Sequence, residues 1–298
     1  MNNLMKTLLV PTDFSDNATN ALRYAAALAK RMKAKLLLVH VLPIQVMVTA
    51  ESTAYTSFDP RLQKCYTGKL KALAHQLQLE NAFFFEVDCY CEYGPFQEVL
   101  NRLVSSKQID LVVMGARGAG SLVEKALGTT ASTFIKEATC PVLAVPSEAF
   151  YSDSHRIAYA SDFTGDEEAF LKQLFLFSDP LGAEVYIVHV KTKDTVPVAM
   201  EEDQLLMEVS AKFPGKKFSV AQVRARTVKR GIEFFLSDNQ ISMLAVAIHE
   251  RRFLQDLFHR SVSKQLALET MVPLLSLPEK PYNLRRFQAD RTEETVEW

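Results

Sequence analysis

Four of the ten glycines in this 298-residue chain, Gly115, Gly118, Gly120 and Gly128, fall in the stretch MGARGAGSLVEKALGTTAS, Met114 to Ser132. Glycine is costly in ordered backbone, so such a cluster marks a turn or a surface that something approaches closely. The chemistry on offer is anion binding. An apolar run, IDLVVMG, leads into the cluster, and a segment that reads as a helix leaves it near Thr129. A helix start presents unpaired amides and the positive end of the peptide dipoles, which suits phosphate. Gly115 and Gly118 would bring bare backbone to a ligand, and Gly128 would do the same at the helix entrance. Thr129 and Thr130 would add hydroxyl donors, and Arg117 would pair with a phosphate oxygen. The spacing is neither that of a Walker P-loop nor G-x-G-x-x-G. On the residues alone, the alternative is a capped glycine-rich surface loop with Arg117 solvated.

The elements that must position this stretch occur twice. TLLVPTDFS (Thr7 to Ser15) returns as RIAYASDFT (Arg156 to Thr164), and AKLLLVHV (Ala34 to Val41) as AEVYIVHV (Ala183 to Val190), both at an offset of 149. Later, DLVVMG (from Asp110) lies over SMLAVA (from Ser242), and the Pro141 region over Pro273, at an offset of 132. The second copy is therefore shorter, with the loss falling after its second strand. Each copy reads as five strands alternating with four helices. In the first copy, strands are expected at KTLLVPTD, KLLLVHVL, AFFFEVDCYC, IDLVVMG and PVLAVP, with helices after Ser15, over about residues 60–80, from GPFQEVL, and over about 129–138. That alternation predicts two tandem doubly wound α/β parallel-sheet domains. We place them at residues 1–147 and 154–278, joined near Ser147 to His155, with a polar tail at 279–298. Ligands of such sheets bind beyond the strands' carboxyl ends, where strand order reverses.

Composition narrows the classes. Hydrophobic residues are 48%, charged residues 23% and the formal net charge is -1, as in ordinary globular protein with no global field toward nucleic acid or an anionic membrane. No apolar run approaches a membrane span, and MNNLMKTLLVPTDFS lacks a signal-peptide cleavage site, so a cytoplasmic home is expected. Cys65, Cys89, Cys91 and Cys140 show no zinc spacing, and we read them as strand or core residues. No Ser-His-Asp or Cys-His arrangement stands out, so no catalytic residue is assigned. His40 and His189, inside apolar strands at repeated positions, read as satisfied buried imidazoles.

The composite Gly115-x2-Gly118-x9-Gly128-Thr129 resembles the nucleotide-binding signature of the universal stress protein family. VPTDFSDNATNALRYAAALAK is similar to that family's opening strand and helix, LLVHV to its second strand, DLVVMGARG to its fourth and CPVLAVP to its last. The resemblance is closer up to about Ser147 and looser beyond. It implies an adenine nucleotide α-hydrolase-like fold and a stress-response module that binds ATP, with Mg or Mn as counter-ion. It places Pro11, Thr12 and Asp13 at the base and ribose, Val41 against adenine, and Met114 and Gly115 beside the sugar and phosphates. Arg117, Gly118, Gly128, Thr129, Thr130 and Ala131 match the phosphate-cradling positions. Asp13 would accept from a ribose hydroxyl, or it simply caps the following helix. Ala131 stands where family sites often carry a hydroxyl. The family also pairs domains through their last strands, which implies an intramolecular pseudo-dimer with PVLAVP beside PLLSLP and leaves room for a further homodimer.

The second copy departs from the pattern. Ala247, Glu250, Arg260 and Ser261 fall where Gly115, Gly118, Gly128 and Thr129 stand, while Asp162 is kept. Negative charge at Glu250 and bulk at Arg260 oppose phosphate, so this half is expected not to bind ATP in the same manner. A non-nucleotide module, taking another ligand, a lipid or a protein through the second half and the long segment Pro43 to Tyr66, is the alternative function. Slow ATP hydrolysis is the enzymatic one.

Overall fold

The opening apolar run forms a strand, β1 (Thr7–Pro11), buried along its whole length. The computed structural model describes residues 7–48, 54–117, 127–153, 155–161, 163, 167–193, 202–248, 272–279 and 281. After β1, the Ser15 side chain accepts from the Ala18 amide at 3.3 Å and starts α1 (Asp16–Met32), which Lys33 ends in the left-handed conformation. There follow β2 (Lys35–Leu42), β3 (Gln45–Val48), β4 (Ala54–Ser57), α2 (Pro60–Glu80), β5 (Val87–Tyr93), α3 (Phe96–Ser106), β6 (Leu111–Gly115), α4 (Thr129–Glu137) and β7 (Val142–Val145). The second copy holds β8 (Arg156–Ala160), α5 (Glu167–Ser178), a 3-10 turn (Asp179–Leu181), β9 (Glu184–Lys191) and α6 (Glu202–Lys212). It continues with β10 (Phe218–Arg224), α7 (Val228–Asp238), β11 (Met243–Ile248) and β12 (Leu274–Pro278).

The ten long strands form one sheet in the order β10-β9-β8-β11-β12-β7-β6-β1-β2-β5. Pairing is parallel within each half, and strand order reverses between β1 and β6 and between β8 and β11. The halves meet where β12 runs antiparallel to β7, with Leu275 opposite Leu143 and Ser276 opposite Val142. PVLAVP and PLLSLP are therefore neighbours, and each covers the other's edge. Side chains alternate across the sheet, so Leu8 and Val10 join one core and Leu9 the other. The first core is roofed by α1, α2, α5 and α6, the second by α3, α4 and α7.

Two local expectations need correction. The third strand begins at Val87, not Ala82, because Ala82 and Phe83 take positive φ of 51° and 53° and turn the chain. Phe83 and Phe84 are exposed there. The long segment after β2 contains an antiparallel hairpin, β3 with β4, before Asp59 caps α2 through the Arg61 amide. The shortening of the second copy is shared between this connection and the helix after it, since α6 has 11 residues against 21 in α2.

The junction between the halves packs against α1. Asn20 Nδ2 donates to the Pro146 and Ala149 carbonyls at 2.9 and 3.0 Å, and Tyr151 stands edge-on to Tyr24 and to His155. His155 is 5% exposed, and neither ring nitrogen has a hydrogen-bond partner among the described residues. Burial lowers its pKa first of all; Asp153 opposes this and Arg31 adds to it. The unfolded chain therefore takes up the proton more readily, and stability falls as pH drops from 6.5 toward the lowered folded value. Urea midpoints measured on either side of that pH should fall less in His155→Phe than in the wild type. Parallel falls would show that His155 contributes nothing to acid sensitivity.

Candidate functional site

At the reversal between β1 and β6 the carboxyl ends of the strands part around a cavity of about 280 Å³. Its first wall is Pro11, Thr12 and Asp13 from the end of β1, with Val41 from β2; its second is Met114, Gly115 and Arg117 from the end of β6, with Thr130 and Ala131 from α4. Nine of the twelve residues singled out by sequence thus share one cleft. Gly128 and Thr129 stand at the mouth of α4 but not in the lining, and Gly118 lies outside the described residues.

The floor is a tight turn. Thr12 Oγ1 accepts from the Phe14 amide at 3.0 Å, Asp13 Oδ1 accepts from the Ser15 amide at 3.0 Å, and Phe14 takes φ of 64°. Asp13 is exposed, so its carboxylate keeps acceptor capacity at the cleft. Ser15, not Asp13, caps α1. His40 Nδ1 lies 2.8 Å from the Thr12 carbonyl. A carbonyl only accepts, so Nδ1 carries the proton and ties β2 to the turn. The ring is half-buried and stacks on Tyr66 at 4.3 Å.

At the far wall, a Cβ on residue 115 would lie 3.0 Å from the Arg117 carbonyl oxygen and 3.2 Å from the backbone of Asn17. Gly115 is thus required by close backbone packing as well as by any ligand. The Gly128 amide donates to the Ala116 carbonyl at 2.7 Å, closing the loop between them, so Gly128 offers no free N–H to a phosphate. It is the N-cap of α4 and makes no side-chain cap bond, so among the described residues no side-chain cap takes the first-turn amides. The Thr130 side chain and the positive end of α4 face the same space as Arg117.

Four further residues line the cleft: Ala18 on the first turn of α1, Val39 and His40 on β2, and Phe96 at the start of α3. Val39 and His40 adjoin the singled-out Val41, but Ala18 and Phe96 carry no local signal and are delivered by packing. Val41 and Phe96 also border a second, largely apolar recess of about 370 Å³, completed by Pro43, Ile44, Gly94 and Pro95. Of the second half's altered motif, Ala247 is buried at the end of β11, while Asp162, Glu250, Arg260 and Ser261 lie outside the described residues. The tail from residue 282 on lies outside them as well. Among the described residues, no helix is long and apolar enough to cross a membrane.

Comparison with known proteins bears on the family and the fold. The model of the universal stress protein family matches residues 5–146. A universal stress protein of Thermus aquaticus is 30% identical over 143 residues, covering 48% of this chain and 99% of that protein. Universal stress protein YxiE of Bacillus subtilis is 30% identical over 156 residues, covering 48% of this chain and 99% of its own. The crystal structure of a universal stress protein from Archaeoglobus fulgidus superposes with a TM-score of 0.63 at 17% identity, over 92% of this chain and 98% of that one, a likeness of fold spanning both halves. With relatives 30% identical matched nearly end to end, the chain belongs to the universal stress protein family.

Proposed function

We propose that the cleft between β1 and β6 binds an adenine nucleotide, ATP with Mg or Mn, and that the chain acts through this occupancy as a stress-response binding module. The observation that carries the reading is the joining of two chemically distinct ends in one cleft. Acceptor and apolar groups, Asp13 and Val41, stand at the base and ribose end; Arg117, Thr130 and the start of α4 stand at the other. A guanidinium and helix-start amides favour a polyanion, and an exposed carboxylate that only accepts favours a sugar hydroxyl. Magnesium or manganese would ride on the triphosphate, its shell completed mainly by water. We assign a binding role and name no catalytic residue.

Isothermal titration of the full chain with ATP and magnesium tests this. One site per chain is expected, with inorganic triphosphate binding more weakly because it forgoes the Asp13 and Val41 contacts. No detectable binding at millimolar ATP would remove the proposal. A second reading, an apolar ligand or lipid, is favoured by the recess beside Val41 and Phe96; it predicts a retained lipid instead of a nucleotide.

A further inference from the structure

The second half rebuilds the floor of the first cleft. Ser161 follows Thr12 by 149 positions, and its hydroxyl oxygen accepts from the Phe163 amide at 2.9 Å, as Thr12 Oγ1 accepts from Phe14. Phe163 has φ of 55°. His189 Nδ1 lies 3.0 Å from the Ser161 carbonyl, repeating the bond between His40 and Thr12. Strand order reverses beside this turn too, between β8 and β11. In sheets of this kind, ligands bind beside such a reversal, at the carboxyl ends of the strands.

One side chain differs in kind. At the same offset, the place of Ala18 in the first cleft is taken by Glu167, on the first turn of α5. Its carboxylate accepts from the Ser161 hydroxyl at 2.6 Å and from the Tyr159 hydroxyl at 2.8 Å. A hydroxyl has a single proton to donate. In the second half Ser161 gives that proton to Glu167; in the first, Ala18 stands in the place of Glu167 and supplies no carboxylate to Thr12. Two hydroxyl donors and the positive end of α5 hold the Glu167 charge in place. Both carboxylate oxygens of Glu167 reach hydroxyls of β8 and the turn after it.

We infer that Glu167 is an internal ligand: its carboxylate occupies the crevice of the second half and excludes nucleotide from it, so one chain offers one nucleotide site. The contrast with Ala18 rests on the nucleotide reading of the first cleft; the closure of the second crevice does not. Crystals grown with ATP and magnesium should show the Glu167 carboxylate on Ser161 and Tyr159, and nucleotide in the first cleft alone. A carboxylate turned away from both hydroxyls, or nucleotide in the second crevice, overturns the inference whatever the first cleft holds. An empty first cleft with Glu167 in place would end the nucleotide proposal while upholding the internal ligand. Ala18→Glu brings a carboxylate to the Thr12 hydroxyl, with Val10 standing where Tyr159 donates in the second half. Its ATP affinity should fall about a hundredfold or more through like-charge repulsion and lost space, with folding of the variant checked by its urea midpoint. Binding by Ala18→Glu at the affinity of the wild type would overturn the inference, and if that variant does not fold, the crystallographic result decides.

Discussion

Gly115→Val is expected to abolish ATP binding and to destabilise the chain by about 2 kcal/mol. A Cβ at this position would meet the Arg117 carbonyl oxygen at 3.0 Å and the Asn17 carbonyl group at 3.2 Å. These are backbone atoms of the two segments that flank the cleft, so neither can rotate away as a flexible side chain would. Relief requires α1 and the passage after β6 to separate, which moves Ala18 and Arg117 apart. The γ carbons of valine then add volume at the cleft wall itself. Urea denaturation reads the stability change, and titration with ATP reads the affinity. Gly115→Ala should show a smaller change in both. Binding by Gly115→Val at the affinity of the wild type would mean that this wall does not shape the site.

Leu275→Asp should be more damaging to the fold, costing roughly 4 kcal/mol. Leu275 and Leu143 face each other across the β7–β12 seam, and both are 0% exposed. A carboxylate there would be buried against the apolar side chains of the seam, so the group must either take up a proton or open the seam. Total stabilities of domains are about 5–15 kcal/mol, so a loss of this size consumes much of the margin. The expected result is early unfolding of the second half in urea and rapid proteolysis there, with ATP binding by the first half persisting. Unchanged urea unfolding would show that the seam contributes little to joining the halves.

Much of this architecture is legible in the chain because its signals are local. Short apolar runs bounded by turn residues give the buried strands, a hydroxyl or acid cap and helical spacing give α1, and the family resemblance implies that PVLAVP and PLLSLP are neighbours. The start of β5 is misread because Phe83 and Phe84 mimic a strand, whereas two successive left-handed residues turn the chain. The hairpin escapes because β3 and β4 pair only with each other and never join the main sheet. Of the spaced glycine signature, Gly115 lines the cleft, Gly128 and Thr129 stand at the mouth of α4, and Gly118 lies outside the described residues. Ala18 and Phe96 are not found by spacing, because they arrive on separate helices and matter only through where packing brings them. Glu167 is hidden for the same reason: its partners Tyr159 and Ser161 lie on the far side of a turn.

Native mass spectrometry of the full chain, purified and then supplied with ATP and magnesium, tests the central assignment most directly. The account predicts one adenine nucleotide per chain, and its loss in Gly115→Val. A chain that carries no nucleotide, or that carries a lipid in its place, would contradict it.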